Sequence, residues 1–155
     1  MFHVVLVEPE IPHNTGSIGR LCLATGAHLH LVKPLGFSLD ERAVRRAGLD
    51  YWEKVQVSLW ESFAELQAAQ AEGARYFFLT TKARLVYWES EFQEGDFLVF
   101  GRETRGLPEP LLEANAGSCL TIPMEAETRS LNLATAVGIV LYEARRQGVM
   151  RRAGF

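Results

Sequence analysis

The sequence predicts a single α/β domain built on a parallel sheet with helices on both faces. Short apolar runs alternate with stretches of helical periodicity along the whole 155-residue chain, which is the pattern of repeated βαβ units. The apolar runs are nearly continuous rather than alternating, as expected of strands covered on both faces. No internal repeat, low-complexity tract, linker or composition shift marks a boundary, so residues 1–155 are read as one domain.

Phe2 to Val7 is the first strand, apolar apart from His3. Glu8 to His13 is a loop carrying two prolines, and Asn14 to Ala27 is a helix with Asn14 or Thr15 as cap and Gly26 at its end. His28 to Val32 is a second strand, followed by a turn at Pro34 to Phe37. Ser38-Leu39-Asp40-Glu41 matches a capping box and opens a short helix to about Ala47. Val55 to Val57 reads as a short strand. Ser58-Leu59-Trp60-Glu61 reads as a second capping box, for a helix ending at Gly73. Tyr76 to Thr80 and Phe97 to Phe100 are further strands, Leu107 to Asn115 is a turn and short helix, and Cys119 to Ile122 is the last strand. The chain then breaks at Pro123 and runs through a polar loop. Ser130 is the expected N-cap of a final helix, in which Leu133, Val137, Val140, Leu141 and Ala144 recur at helical spacing.

The apolar fraction of 48% and the charged fraction of 23% are those of a soluble globular protein, and no apolar run reaches membrane-spanning length. The N-terminus lacks a basic lead and a cleavage site, so it reads as a strand and not as a signal peptide. Cys22 and Cys119 sit singly in apolar patterns and are expected to be buried thiols in a reducing, cytoplasmic setting. A net charge of −3 offers no general attraction to nucleic acid, so an RNA site would need a local basic patch. Two groups qualify: Arg42, Arg45 and Arg46 on the second helix, and Arg145, Arg146, Arg151 and Arg152 near the C-terminus.

Three stretches could carry chemistry. Glu8 to Arg20 joins the first strand to the first helix; Gly16 and Gly19 allow close approach, and Arg20 could hold a phosphate, a carboxylate or a developing oxyanion. The dinucleotide fingerprint and the P-loop are both absent from it. Phe100 to Pro108 follows a strand; Gly101 at the strand end lets a ligand lie against the backbone, and Glu103 could fix an arginine or accept from a ribose hydroxyl. The third is Ile122 to Ala134, a strand end feeding a helix start, which is where α/β proteins bind ligands. His28 and His30 share one face of a strand, but no third ligand stands at suitable spacing in the sequence, so no metal is expected. His3 and His13 have no motif around them.

Taken together, the three stretches resemble the three motifs of the SPOUT superfamily of RNA methyltransferases. The match is Asn14-Thr15-Gly16…Arg20, then Phe100-Gly101-x-Glu103-x-x-Gly106-Leu107, then Ile122-Pro123-Met124 through Ser130-Leu131-Asn132-Leu133. The resemblance runs from Val4 to Gln147 and is closest to the short tRNA wobble-nucleotide 2′-O-methyltransferases of the TrmL type. Glu8 to Pro12, Arg45 to Tyr51 and Leu79 to Lys82 look like stretches peculiar to that group. Longer relatives carry an extra N-terminal RNA-binding domain, for which the early first strand leaves no room here. The resemblance implies a parallel α/β sheet whose C-terminal segment passes through a loop in a deep trefoil knot, which periodicity could not show and topology priors oppose.

It also implies S-adenosylmethionine as methyl donor, S-adenosylhomocysteine as product and no metal. The implied substrate is the ribose 2′-hydroxyl of the tRNA wobble nucleotide, cytidine or modified uridine at position 34. Leu79, Gly101, Ile122 and Ser130 match cofactor-contacting positions, and Arg20 matches the arginine proposed to act on the hydroxyl. Because arginine is essentially always protonated, stabilisation of the forming alkoxide suits Arg20 better than proton abstraction. Asn14 and Glu103 are expected to orient Arg20, and Ser130 and Asn132 to position cofactor or ribose. A homodimer is expected: the apolar face of the last helix, with Leu133, Val137 and Leu141, must be buried, the resemblance implies a subunit interface formed by the first and last helices, and Arg42, Arg45 and Arg46 of one chain bind RNA beside the other chain's site. No membrane partner is expected. The competing readings are a non-catalytic RNA-binding module of the same fold and a nucleotide-binding protein unrelated to RNA.

Overall fold

The computed structural model describes residues 1–40 and 42–154, with the side chains of residues 48–50 outside that description. Six strands form one sheet: β1 (His3–Val7), β2 (His28–Val32), β3 (Val57–Trp60), β4 (Tyr76–Leu79), β5 (Phe97–Phe100) and β6 (Cys119–Leu120). Their order is β3-β2-β1-β5-β4-β6, and every pairing is parallel. Among the described residues, five α-helices connect and flank them: α1 (Pro12–Thr25), α2 (Arg42–Gly48), α3 (Phe63–Ala68), α4 (Glu109–Ala114) and α5 (Leu133–Arg152). From β1 the chain winds outward to β2 and β3, then returns to lay β4, β5 and β6 on the other side. The C-terminal ends of the central strands therefore face a switch point, where α/β sheets place ligands.

Strand alternation explains why the apolar runs are continuous. Val4, Leu6, Leu29, Leu31, Leu98 and Phe100 point to one face, where Ile18 and Cys22 of α1 and Val137, Val140, Leu141 and Ala144 of α5 cover them. Val5, Val7, Val32, Phe78 and Val99 point to the other, against Leu66 of α3 and Leu112 of α4. Each fully buried Leu or Val of this set contributes about 1.5–3 kcal/mol from removal of apolar surface.

Several boundaries differ from the sequence reading, each for a local reason. Helix α1 starts at Pro12, not Asn14; its N-cap, Ile11, makes no side-chain cap bond, and the fixed φ of proline suits the first helical position. It ends as expected at Gly26, in the left-handed region at φ 70°. The residues read as a capping box at Ser58 belong to strand β3, because parallel pairing with β2 sets Leu29 opposite Val57 and Val32 opposite Trp60. The cap lies four residues on. Ser62 Oγ accepts from the amide of Glu65 at 3.1 Å, while Glu65 Oε2 accepts from the amide of Glu61 at 2.6 Å. Helix α3 then closes at Ala68 rather than Gly73. At the earlier box the amide of Asp40 donates to Ser38 Oγ at 3.3 Å, and Glu41 lies outside the described residues.

The last helix is capped by Asn132 and not by Ser130. Asn132 Oδ1 accepts from the amide of Thr135 at 3.2 Å, and its Nδ2 donates to Asn14 Oδ1 at 3.1 Å. That second bond ties the start of α5 to the buried flank of α1, which Ser130 does not do. Strand β6 is short. Beyond Leu120 the chain leaves β4 and pairs with the segment following it: the amide of Thr121 donates to the Leu85 carbonyl at 2.8 Å, and the amide of Tyr87 to the Thr121 carbonyl at 3.0 Å.

Candidate active site

A cavity of about 350 Å³ opens at the C-terminal ends of β4, β5 and β6. Three loops line it: 79–82 after β4, 100–107 after β5, and the run from Thr121 to Leu133. Leu79, Gly101, Ile122 and Ser130, four positions 51 residues apart at the extremes, all reach this one space. Walls from Leu79, Ile122 and Leu133 are apolar, and Lys82, Arg105 and Arg129 stand on the rim. The three rim cations had no assigned role in the sequence reading. Lys82 ion-pairs with Glu109 at the start of α4.

Gly101 shapes the cavity through its own loop. Arg102 and Gly106 exchange both backbone hydrogen bonds, at 3.2 and 2.9 Å, and Gly106 sits at φ 66°. A Cβ on Gly101 would lie 2.1 Å from the Gly106 carbonyl carbon and 2.2 Å from the Leu107 nitrogen. The glycine is therefore required by backbone of the same loop, and not, as the sequence suggested, only by room for a ligand.

A reciprocal set of acidic contacts binds this loop to the one after β1. Glu103 accepts from the amides of Glu10 at 3.0 Å and Ile11 at 2.7 Å, where α1 begins. In return Glu10 Oε1 accepts from the amide of Thr104 at 3.1 Å and from its hydroxyl at 2.7 Å. Arg102 Nη2 donates to Glu8 Oε2 at 2.9 Å. Glu8 is the sole described non-glycine residue at positive φ, 56°. Burial raises the Glu103 carboxyl above its ordinary range against the pull of the two amides, whereas the Thr104 bonds hold that of Glu10 below it. Glu103 thus supplies negative charge to the N-terminus of α1, where the helix dipole favours it.

These contacts correct two expectations. Neither Asn14 nor Glu103 is bonded to Arg20: Asn14 meets Asn132, and Glu103 meets backbone amides. Arg20 is exposed on α1, its guanidinium 5.8 Å from the centroid of the Tyr51 ring, and does not line the cavity. Arg42, Arg45 and Arg46 are exposed together on α2, but Arg45 is shared between Glu53 at 3.4 Å and Asp40 at 3.8 Å. Leu133, Val137 and Leu141 are buried, as expected, and it is the chain's own core that covers them. The exposed apolar residues of α5 are Tyr142, Val149 and Met150.

The opposite, N-terminal edge of the sheet holds a second cluster, which the sequence reading missed. The pairing of β1 with β2 sets His3 directly opposite His28, and His30 follows two residues along on the same face. The expectation that no third ligand exists is thereby corrected: ligand atoms of His3, His28 and His30 all lie within 4.8 Å of one another. Trp60 Nε1 donates to His30 Nδ1 at 3.0 Å, so the proton of neutral His30 sits on Nε2, which is 2.9 Å from His3 Nδ1. His28 Nε2 is 2.7 Å from Ser58 Oγ. Burial, then the neighbouring imidazoles, lower the pKa of His30 to about 3, and burial with His28 and the N-terminus lowers that of His3 to about 4.

Comparison with known proteins adds the lineage. The chain is 50% identical over 148 residues to a tRNA (cytidine(34)-2′-O)-methyltransferase of Methylovorus glucosotrophus, covering 95% of this chain and 96% of that one. It is 49% identical over 151 residues to the protein of the same name from Burkholderia cenocepacia, with coverage of 95% and 96%. A solved structure described as giving insights into 2-OH methylation of C/U34 on tRNA superposes with a TM-score of 0.91 at 48% identity, over 95% of both chains. An AdoMet-bound rRNA methyltransferase from Sinorhizobium meliloti superposes with a TM-score of 0.83 at 28% identity, over 94% of this chain and 56% of that one. The profile of the SpoU rRNA methylase family matches residues 1–142, and the chain belongs to that family.

Proposed function

We propose that this protein transfers the methyl group of S-adenosylmethionine to the ribose 2′-hydroxyl of the tRNA wobble nucleotide, cytidine or modified uridine at position 34. The observation that carries the reading is the convergence of Leu79, Gly101, Ile122 and Ser130 on one cavity. Relatives named for this reaction match along 95% of the chain, which supports the substrate. The cavity suits the donor. Its volume of about 350 Å³ lies in the range of small-molecule sites, and Leu79, Ile122 and Leu133 line it together with residues of the loop from Gly101 to Gly106.

The bound donor supplies a methyl group activated by its sulfonium. The chain's part is alignment and stabilisation of charge. Leu79, Ile122 and Leu133 exclude water around the apolar part of the donor, and the loop from Gly101 to Gly106 fixes its backbone contacts. Arg20, always protonated, stabilises the ribose oxygen as its proton passes to water or to an RNA phosphate. Glu103 positions Arg20 indirectly, by holding the first turn of α1; Asn14 and Asn132 fix α1 against α5. Ser130, exposed at the cavity, bonds donor or ribose.

The working unit in this reading is a cytoplasmic homodimer. Support comes from the exposed Tyr142, Val149 and Met150 on α5, and among the described residues no helix is long and apolar enough to cross a membrane. Arg42, Arg45 and Arg46 of one chain lie beside the other chain's cavity and hold tRNA phosphates. Threading of the segment 121–132 behind 80–87 in a knot accords with the bonds that Thr121 makes to Leu85 and Tyr87.

Methyl transfer to unmodified tRNA transcripts, with the product nucleotide mapped, tests the reaction. Incorporation at position 34 that depends on the donor is expected; cofactor binding without transfer to any tRNA would replace this reading with that of a non-catalytic RNA-binding module. Mixing Arg20→Ala with Arg45→Ala/Arg46→Ala chains tests the shared site, which requires partial recovery of activity.

A further inference from the structure

We propose that His3, His28 and His30 bind a divalent transition-metal ion of the zinc, nickel and copper(II) group at the edge of the sheet opposite the cavity. Three imidazoles are a sufficient protein ligand set for such an ion, leaving a fourth position for water. Strand register brings them together: His3 and His28 are cross-strand partners, and His30 shares their face. His30 is 2% exposed and forms the fixed base of the site, while the half-buried His3 and His28 give an ion access from solvent.

The present geometry lies a short way from coordination. A tetrahedral ion with metal–nitrogen bonds of about 2.0–2.1 Å holds ligand nitrogens roughly 3.3 Å apart. His3 Nδ1 and His30 Nε2 stand 2.9 Å apart as a hydrogen-bonded pair, so a separation of a few tenths of an ångström admits the ion between them. The His28 ring stacks on His30 at 4.0 Å and turns about its side-chain bonds to bring a nitrogen into the same shell. Ser58 Oγ accepts the remaining N–H of His28, the outer contact that orients a metal-bound imidazole.

Trp60 opposes binding. Its indole N–H is a donor only, and it holds the lone pair of His30 Nδ1. For His30 to bind through Nε2, the Nε2 proton must pass to solvent and Nδ1 must take one up. Two donors then face each other, so Trp60 must release the ring. It stands half-buried on edge strand β3, where water can take over its N–H. Trp60 therefore sets the affinity of the site without being a ligand.

The test is calorimetric titration of the full-length, chelator-stripped protein with zinc chloride and, separately, nickel chloride near pH 7.5. One equivalent should bind in the micromolar range or tighter. His3→Ala and His28→Ala, both at half-buried positions that leave the core intact, should each weaken binding at least tenfold. Trp60→Phe, which keeps an aromatic ring and removes the donor, should tighten it about tenfold. No saturable binding below 100 µM, roughly a hundredfold weaker than expected, would overturn the proposal. So would affinities unchanged in both histidine variants, which would place the ion elsewhere, and an unchanged Trp60→Phe would refute the opposing role of the indole. The variants lie outside the methyl-transfer site, so the outcome is independent of that reading.

Discussion

Replacing Asn132 by alanine should destabilise the protein far more than its exposed position suggests. Two contacts are lost at once. The first is the cap, in which Oδ1 accepts from the amide of Thr135 at 3.2 Å, and such a loss costs about 0.5–2 kcal/mol. The second is the 3.1 Å bond to Asn14, a residue only 5% exposed. Removing its partner leaves a buried amide oxygen unsatisfied, at about 1–3 kcal/mol. The sum, about 1.5–5 kcal/mol, corresponds to a fall in Tm of about 3–20 °C for a chain of this length. Asn132→Ser separates the terms, because serine caps well but is too short to reach Asn14, so about half the loss should remain. Urea unfolding at one fixed protein concentration is the measurement, since association would otherwise shift the midpoint. In a double-mutant cycle with Asn14→Ala, coupling of about 1 kcal/mol is expected. If Asn132→Ala costs less than about 0.5 kcal/mol, or if the two positions prove additive, the α1–α5 tie is not a significant source of stability.

Gly101→Ala should lower affinity for S-adenosylhomocysteine at least tenfold, because its Cβ would meet the Gly106 backbone at 2.1 Å and the cavity loop must shift; unchanged affinity by calorimetry would show that the loop yields freely. Arg20→Ala should abolish most methyl transfer while cofactor affinity stays within about twofold, as Arg20 stands outside the cavity, and a parental rate would remove it from the mechanism. In chelator, stability should fall as the solution is acidified below about pH 6. The pKa values of His3 and His30 are depressed to about 4 and about 3, so the unfolded chain takes up protons first and the stability present above pH 6.5 is lost on the way down. The slope is at most about 1.4 kcal/mol per pH unit for His30 and smaller for the more exposed His3. His30→Gln should flatten that decline, and an unaltered pH profile would contradict the assignment.

The central strands were legible because they are buried on both faces and so read as apolar runs; β5 falls on the expected residues, Phe97 to Phe100, whereas the partly exposed edge strand β3, with Ser58 in it, was placed at Val55 to Val57. Helix α3 was not, because Ser58-x-x-Glu61 and Ser62-x-x-Glu65 are equally good capping boxes, and only pairing with β2 decides between them. Ser130 lost the cap to Asn132 for a similar reason, a tertiary bond to Asn14 that local propensity cannot register. Of the candidate site, Leu79, Gly101, Ile122 and Ser130 were named from motif resemblance, whereas the rim cations Lys82, Arg105 and Arg129 were given no role. Those whose partners are backbone amides were named with the wrong partner: Glu103 carried a signal as an acidic residue in a loop, but nothing in the sequence says that it reaches Glu10 and Ile11. His3 was invisible as a member of a cluster because cross-strand register is a property of the sheet, not of the strand.

The position of α5 bears on how a ribosome must deliver this protein. Val137, Val140, Leu141 and Ala144 cover the face of the sheet to which β1 contributes Val4 and Leu6, so the first strand made waits for the last helix. Until about residue 145 has left the exit tunnel, that apolar face stays open, and the nascent chain has no complete core to fold upon. The protein should therefore complete its core only after α5 has emerged. A chain ending before Leu133 should be captured by holdase chaperones or precipitate, while one lacking only residues 153–155 should fold as the parent does.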